Sequence, residues 1–331
     1  MGIVVSLALL VWILSAFNLA DAGQAFKAAN YLYLLPVAVL IFLSFLLRAL
    51  RWGMLFVDTH KPDWGSLFAA LMIGYLANNL LPARAGEFVR AYVLSQRKGL
   101  AKSTVLATVV VERAVDLVVT LILLAVVLLF YPLPVWLGRA GFILAMVSLV
   151  ALVFLTLFNV VGERLMIRLV GLLEFLPKTL LARIEAIGRG FLVGVSGLRH
   201  RRRALQFLGC SALIWLTEVA ITFLIVQAFH LNVSVGGSLF IMLAVALGTM
   251  IPSSPGYIGT YEFFATSALA LLDVTGGGAL SFALMLHAVT FLGASFLGAA
   301  CLVQTGMGLT RVFAKAENIR TGQFFTPNPP R

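Results

Sequence analysis

Charged residues are scarce in this sequence. Only 11% of its 331 residues are Asp, Glu, Lys or Arg, whereas 61% are hydrophobic and the mean hydropathy is +1.04. A soluble domain has about 25% charged and about 45–50% apolar residues, so a soluble fold is excluded. Apolar runs such as 2–20, 31–47 and 117–130 reach or approach the ~20 residues needed to cross a bilayer. The composition therefore predicts an integral membrane protein.

Cysteines and enzyme motifs are also scarce. The two cysteines, Cys210 and Cys301, lie within apolar segments and predict neither a disulfide nor a metal site. The sequence Ala-Lys-Ser-Thr at 101–104 lacks the glycines of a phosphate-binding loop, and there is no metalloprotease or hydrolase motif. We therefore expect a transport protein without catalytic residues, metal or cofactor.

The chain contains eight apolar segments. Six are long enough for a full crossing, at 2–20, 31–56, 104–130, 139–160, 204–229 and 280–306. The other two, 66–94 and 235–272, are interrupted by Pro and Gly at 82–86 and 252–259. Lipid cannot satisfy the backbone groups that such a break frees, so breaks are tolerated only inside protein or beside a wet cavity. The sequence predicts an all-α polytopic membrane protein with six full transmembrane helices and two re-entrant broken-helix hairpins.

The distribution of the 24 Lys and Arg residues predicts the orientation. Nearly all of them fall on inner segments if the N-terminus is inside, which indicates an inner membrane protein with both termini cytoplasmic. The hairpins then enter from opposite sides, as in transporters built from inverted repeats. We expect one integral membrane domain over 1–331, with repeats at about 1–130 and 139–307 and a tail at 308–331. The basic amphipathic insert 163–203 is either a pair of helices on the inner leaflet or a plain connector.

Charged residues inside the spans are the candidate site, because each costs ~2.5–3.5 kcal/mol to place in the membrane. The span from Thr104 carries Glu112, Arg113 and Asp116 close to its middle, and Arg113 is expected to reach Asp116 at i,i+3. The first break adds Arg84, Glu87 and Arg90, where unpaired helix N–H groups are expected to favour a phosphate, and the second half adds Glu218 and Glu262.

The embedded acids in this count outnumber the embedded cations by two. No Lys or Arg occurs between Arg203 and Arg311, so the surplus acids are expected to bind a proton or a cationic ligand. The competing interpretation is an internal ion-pair network that only stabilises the bundle. His287 has no metal-ligand partner at helical spacing and is expected to be a packing residue.

The residues around the two breaks are expected to line a cavity. Tyr75, Asn78 and Asn79 precede the first break, where they either line that cavity or cap the broken helix. The complete predicted lining is Tyr75, Asn78, Asn79, Pro82, Gly86, Pro255, Gly256 and Gly259.

Three stretches resemble the flippase-like transmembrane family of the lysylphosphatidylglycerol synthase membrane domain. They are Asn-Asn-Leu-Leu-Pro-Ala-Arg-Ala-Gly-Glu at 78–87, Glu-Arg-Ala-Val-Asp at 112–116 and Pro-Gly-Tyr-Ile-Gly-Thr-Tyr-Glu at 255–262. The resemblance implies inverted repeats with re-entrant helices, and it adds Tyr261 to the candidate site.

The resemblance also implies a class of cargo. Bifunctional members move an aminoacylated phospholipid between leaflets and carry a soluble synthase domain, whereas relatives without that domain are linked with polyprenyl-phosphate sugars and hopanoids. Only residues 310–331 follow the last predicted span, so we do not expect synthase activity.

Two hypotheses for function follow. The first is a lipid flippase or scramblase, and its substrate-binding residues are Arg84, Glu87, Arg90, Glu112, Arg113, Asp116, Glu218, Tyr261 and Glu262. The alternative is a non-transporting accessory membrane enzyme or subunit of lipid or glycolipid biosynthesis. The expected partners are membrane lipids, either anionic or aminoacylated phospholipids or lipid-linked intermediates, and a lipid-biosynthesis enzyme. Nucleic acid is not an expected partner, and the sequence predicts no oligomeric state.

Overall fold

A computed structural model describes residues 17–56, 61–81, 84–130, 201–250 and 253–308, with isolated positions in 6–15 and 146–192. Several predicted features lie wholly or largely outside these residues. They are the spans 2–20 and 139–160, the insert 163–203, the tail 308–331, and Pro82.

The described residues form helices and no strand, which confirms the all-α class. Short 3-10 turns at Tyr31–Tyr33 and Pro255–Tyr257 accompany nine α-helices within the described ranges. These are α1 Leu19–Ala28, α2 Leu34–Gly53, α3 Trp64–Leu80, α4 Gly86–Lys98, α5 Lys102–Phe130, α6 Arg201–Ala228, α7 Val235–Gly248, α8 Thr260–Ala270 and α9 Gly277–Gln304.

The helices fall into two length classes. Three segments in the described part of the chain are long and apolar enough to cross a membrane, at Tyr31–Gly53, Arg201–Ala228 and Gly277–Gln304. Helix α5 has 29 residues but carries charged residues near its middle. Helices α3, α4, α7 and α8 have 17, 13, 14 and 11 residues. At 1.5 Å per residue these four are about 16–26 Å long, shorter than the ~30 Å hydrocarbon layer.

The helical structure is interrupted where the Pro and Gly pattern predicts it. Helix α3 ends at Leu80, and α4 begins at Gly86 after Arg84 adopts a left-handed conformation with φ of 54°. The second break, between α7 and α8, contains Gly256 and Gly259 with φ of 67° and 85°. Only glycine adopts such angles without steric cost, so these two positions let the chain turn there.

Helices α3 and α4 form a hairpin in which the two backbones lie very close. A Cβ atom on Gly86 would overlap the Gly74 carbonyl oxygen, so α4 can approach α3 only if residue 86 is glycine. At the open end, the Asp63 carboxylate caps α3 by accepting from the Ser66 N–H at 2.9 Å, and it also pairs with Lys98 of α4. The Lys98 ammonium holds the pKa of Asp63 below its ordinary value, at about 2. The hairpin is therefore fixed at both ends.

A large apolar core joins the described helices. Helix α9 packs on α3 and α1, α2 packs on α6, and α7 packs on α8, α6 and α5. The core contains the fully buried rings of Trp52, Phe207, Phe240 and Phe282. The two breaks meet in the middle of this assembly, because the Arg84 Nε donates to the Thr249 carbonyl at 3.1 Å.

Candidate functional site

A central cavity of about 240 Å³ lies between the two breaks. Its wall is formed by α2, α3, α4, α5, α6, α8 and α9 together with both breaks. The charged residues of the wall are Arg48, Arg84, Glu87, Arg113 and Glu218. The polar and aromatic residues that face it include Tyr75, Asn78, Asn79, Thr249, Tyr257, Tyr261, His287, Thr290 and Phe291. A second hollow of about 230 Å³ shares Arg48, Glu218, Tyr261 and Thr290, and it extends the space toward Trp215.

Behind the cavity lies a buried ion-pair network that we define as Arg51, Glu87, Arg90, Glu112, Arg113 and Asp116. Glu112 is inaccessible to solvent and is held at 2.9 Å by both Arg51 and Arg90. Arg51 also contacts Asp116 at 2.5 Å. These contacts join α2, α4 and α5. The innermost members of the network are thus paired with one another. None of these members lines the cavity. The sequence had assigned Arg90, Glu112 and Asp116 to substrate binding, and the structure places all three behind the cavity wall.

Glu87 and Arg113 form the layer of the network that borders the cavity. Arg113 lies 3.1 Å from Glu87 and 3.6 Å from Asp116, which is the predicted i,i+3 pair. Glu87 also lies 2.7 Å from Arg90. The Arg113 side chain is 31% exposed and lines the cavity, but its Nε and Nη2 are buried, so Nη1 is the guanidinium nitrogen left to contact a molecule there.

The predicted surplus of two acids is wrong, because α2 supplies two arginines to the interior. Arg48 pairs with Glu218 at 2.8 Å, and Arg51 belongs to the ion-pair network. Ser44 donates to the same Glu218 carboxylate at 2.8 Å. The positive-inside rule assigned Arg48 and Arg51 to an inner segment because they lie near the end of a span. Arg48 and Arg51 follow Ser44 by four and seven residues, which places all three on one face of α2. This spacing is the sequence signal that could have identified the two arginines as interior residues.

His287 is not an isolated packing residue. Its Nδ1 lies 2.5 Å from Glu262 Oε1, and its Nε2 lies 2.8 Å from the Gly256 carbonyl. The other oxygen of Glu262 accepts from the Gly259 N–H at 2.8 Å, at the start of α8. The ring of Tyr261 stacks on the imidazole at a centroid distance of 4.4 Å. The pair therefore holds the second break against α9, and Glu262 lies behind the cavity wall, which His287 and Tyr261 line.

The start of α4 does not offer the free N–H groups that the sequence suggested. The Gly86 N–H donates to Asn78 Oδ1 at 2.8 Å, and the Glu87 N–H donates to the Arg84 carbonyl at 3.2 Å. An anion at the start of α4 would therefore be bound by side chains and not by these two N–H groups. The choice between lining and capping is also resolved, since Asn78 does both. Asn79 lines the cavity and donates to the Phe291 carbonyl and to Ser295 of α9, at 3.1 and 2.8 Å.

Four of the predicted lining residues have other positions. Gly86 packs against Gly74, and the carbonyl of Gly256 binds His287, so neither contributes to the cavity wall. Pro255 and Gly259 also lie outside that wall, in the second break. Among the described residues, no group of three His, Cys, Asp or Glu side chains is placed to hold a metal ion.

Arg84 differs from the other buried arginines. Its Nε donates to Thr249 and its guanidinium carbon lies 5.9 Å above the ring of Tyr257. No carboxylate of the described residues lies within ion-pair distance of it, whereas Arg48, Arg51, Arg90 and Arg113 each have such a partner. A half-buried guanidinium without a counter-ion, on the wall of a cavity, is suited to binding an anion.

Comparison with known proteins gives the following matches. The family profile described as "Lysylphosphatidylglycerol synthase TM region" matches residues 1–298. Two proteins of Methanothermobacter thermautotrophicus named UPF0104 membrane protein are similar. One is 29% identical over 279 residues, which cover 78% of this chain and 80% of the relative. The other is 27% identical over 310 residues, which cover 90% of each chain.

A further similar protein is larger. Glycosyltransferase AglD of Haloferax volcanii is 24% identical over 335 aligned positions, which cover 91% of this chain and 52% of that protein. The chain thus spans about half the length of AglD. No solved structure matches the chain.

Proposed function

The chain belongs to the lysylphosphatidylglycerol synthase TM region family, and from that premise we propose that it is a flippase or scramblase that moves a polar lipid between membrane leaflets. The observation that carries the proposal is the central cavity, which both halves of the chain build inside an apolar bundle and which is lined by Arg84, an arginine without a counter-ion among the described residues. A polar cavity of this kind gives a headgroup a route that avoids the hydrocarbon layer.

The proposal includes a membrane arrangement. Six helices cross the inner membrane, both termini are cytoplasmic, and the α3–α4 and α7–α8 hairpins are re-entrant within a single domain of two inverted repeats. The four hairpin helices are too short to cross, which supports this arrangement. The contact of Arg84 with Thr249 supports it further, since re-entrant hairpins from opposite sides meet near the midplane.

The size of the cavity supports a role for the headgroup alone. About 240 Å³ is slightly less than the ~300–1,000 Å³ of typical small-molecule pockets. A phosphate with a small polar group fits such a space, whereas two acyl chains do not. We therefore propose that the chains of the lipid stay in the membrane beside the protein while the headgroup occupies the cavity.

The proposed roles of the predicted residues follow from their positions. Arg84 and Arg113 contact the headgroup, and Glu87, Glu218 and Tyr261 form the wall around it. The residues behind the wall act on the cargo only indirectly, by holding those that face it. These are Arg90, Glu112, Asp116 and Glu262.

Lipid exchange in proteoliposomes tests the function. Purified protein is reconstituted with fluorescent phosphatidylglycerol or fluorescent phosphatidylethanolamine, and dithionite quenching measures how fast each lipid changes leaflet. We expect exchange above that of protein-free liposomes, slowed in Arg84→Gln and unchanged in Arg97→Gln. Arg97 is the matched control because it lies in the last turn of α4, the helix that follows Arg84, and donates to Ser66 outside the cavity. Exchange no faster than in empty liposomes for either lipid, at acidic and at neutral pH, would refute the proposal.

A second candidate function is that of an accessory subunit in glycolipid synthesis, which the similarity to Glycosyltransferase AglD favours. Membranes from cells with and without the protein can be labelled with phosphate and their lipids compared, both in sealed vesicles and after detergent permeabilisation. A lipid product that disappears in both states favours the accessory subunit, because permeabilised membranes need no flippase. A product that disappears only in sealed vesicles favours lipid movement.

A further inference from the structure

The buried charges around the central cavity do not cancel. The cations of the wall and of the ion-pair network are Arg48, Arg51, Arg84, Arg90 and Arg113, and the acids are Glu87, Glu112, Asp116 and Glu218. Each of these acids lies within 3.1 Å of an arginine nitrogen. Since no acid of the described chain pairs with Arg84, one positive charge remains. This is the reverse of the surplus predicted from the sequence.

The Glu262–His287 pair does not change this count. Gly256 offers only a carbonyl oxygen, so His287 Nε2 must carry a hydrogen to bond with it. At 2.5 Å, the contact of Nδ1 with Glu262 then needs one more proton, on either the ring or the carboxyl group. An imidazolium with a carboxylate and a neutral imidazole with a carboxylic acid both have a net charge of zero.

An unpaired charge in the membrane interior is unfavourable, and a ligand that neutralises it is favoured over one that does not. A headgroup with a single negative charge makes the cavity neutral. A phosphomonoester with two negative charges leaves an excess negative charge, and a zwitterionic headgroup leaves the positive charge unbalanced. The charge count thus discriminates between classes of lipid.

We propose, as a refinement that rests on the proposed function, that the cavity selects lipids with a monoanionic phosphodiester headgroup and that Arg84 binds the phosphate. The planar guanidinium matches two phosphate oxygens, and its contacts with Thr249 and Tyr257 hold it on the cavity wall.

The rest of the wall fits a headgroup with hydroxyl groups and without an amine. Tyr75, Tyr257, Tyr261 and Thr290 bring hydroxyl groups to the cavity, and Asn78 and Asn79 bring amides. Both carboxylates of the wall are engaged, since Glu87 is held by Arg90 and Arg113, and Glu218 by Arg48 and Ser44. An ammonium group would therefore find no free counter-ion here. Phosphoglycerol and a phosphate-linked sugar share the required chemistry.

Binding of short-chain lipids to the purified protein tests the selectivity without requiring transport. The dihexanoyl forms of phosphatidylglycerol, phosphatidylinositol, phosphatidylethanolamine and phosphatidic acid are titrated at pH 8, where the last carries nearly two negative charges. We expect phosphatidylglycerol or phosphatidylinositol to bind about tenfold or more tighter than the other two. The tighter of the first pair shows whether the site prefers an acyclic polyol or a sugar-like ring.

Two variants change the charge count in opposite directions. Arg84→Gln should remove the preference for the monoanionic lipids, whereas the control Arg97→Gln should keep it. Glu218→Gln leaves Arg48 unpaired, so the affinity for phosphatidic acid should rise relative to that for phosphatidylglycerol. If Arg84→Gln does not fold, Glu218→Gln alone decides the question.

The outcomes separate this inference from the proposed function. Equal binding of all four lipids, or tightest binding of phosphatidylethanolamine, overturns the monoanion assignment even if lipid exchange is observed. Selective binding of the monoanionic lipids without exchange leaves the assignment standing and refutes the flippase.

Discussion

The imidazole Nδ1 of His287 lies 2.5 Å from a carboxylate oxygen of Glu262, and the two residues are on different helices, α9 and α8. The second carboxylate oxygen and the second ring nitrogen are both committed to backbone groups of the break between α7 and α8, at Gly259 and Gly256. The contact between Nδ1 and the carboxylate therefore needs a shared proton, and it is one of the contacts that attach the break to α9.

The first prediction concerns this shared proton. In Glu262→Gln the amide oxygen can still accept from Gly259 while its NH₂ donates to Nδ1, so every hydrogen bond of the protonated pair is kept. We expect thermal unfolding in detergent to be close to that of the native protein. Glu262→Ala removes both partners and should lower the free energy of unfolding by about 1–3 kcal/mol for each buried group left unsatisfied. If Gln is as damaging as Ala, the charge of the carboxylate, and not its hydrogen bonds, stabilises the contact.

The second prediction concerns Glu112, which is buried between Arg51 and Arg90. Glu112→Gln keeps the shape of the side chain but leaves an uncompensated positive charge between α2, α4 and α5. The expected loss of stability is about 3–5 kcal/mol, as is typical when one partner of a buried ion pair is removed. Chemical unfolding in detergent measures this loss of stability. Glu218→Gln, which neutralises a more exposed carboxylate, is the comparison. Normal stability with lost lipid exchange would mean that Glu112 acts on the cargo directly.

The third prediction tests the close contact of α3 and α4. Gly86→Ala places a methyl group against the Gly74 carbonyl and the Asn78 side chain, so the hairpin must open. We expect a loss of about 1–3 kcal/mol in stability, the usual cost of overpacking. Gly209→Ala, in the middle of α6 with nothing within 4 Å of the added Cβ atom, should be neutral or stabilising by up to about 1 kcal/mol. Equal thermal unfolding of the two variants would show that the backbones are not in contact.

The fourth prediction concerns topology. In a background without Cys210 and Cys301, Ala85→Cys lies in the first break and Ile258→Cys in the second. If the two hairpins enter from opposite sides, an impermeant thiol reagent should modify the first only from the cytoplasm and the second only from outside. Labelling of intact cells and of inverted vesicles compares the two sides. Modification of both cysteines from one side would contradict the inverted-repeat arrangement.

The sequence predicted those features of the fold that have local causes. The two breaks follow from proline and glycine within apolar segments, and the structure ends α3 at Leu80 and α7 at Gly248 accordingly. The family was also identified correctly, because the motifs around Arg84, Glu112 and Glu262 are contiguous in sequence. The i,i+3 relation of Arg113 and Asp116 is likewise a property of one helix.

The contacts that the sequence could not predict are between separate helices. Glu262 and His287 are 25 residues apart, and their contact depends on how α8 packs against α9. Arg48 and Arg51 were misassigned for another reason. The positive-inside rule locates a charge along the membrane normal, whereas its role depends on which face of the helix it occupies. With these two arginines assigned outside the core, the predicted surplus of two acids was wrong, and the expectation that the surplus acids bind a proton or a cationic ligand lost the count on which it was based.

Adjacent asparagines give the central cavity a property that lipid binding can exploit. Asn78 holds the start of α4 and Asn79 holds α9, so the end of α3 is attached to both of its neighbours by contacts within the protein. The wall around the first break is thus preorganised. A headgroup that enters does not have to order this part of the wall, and so more of the interaction energy of its phosphate appears as affinity.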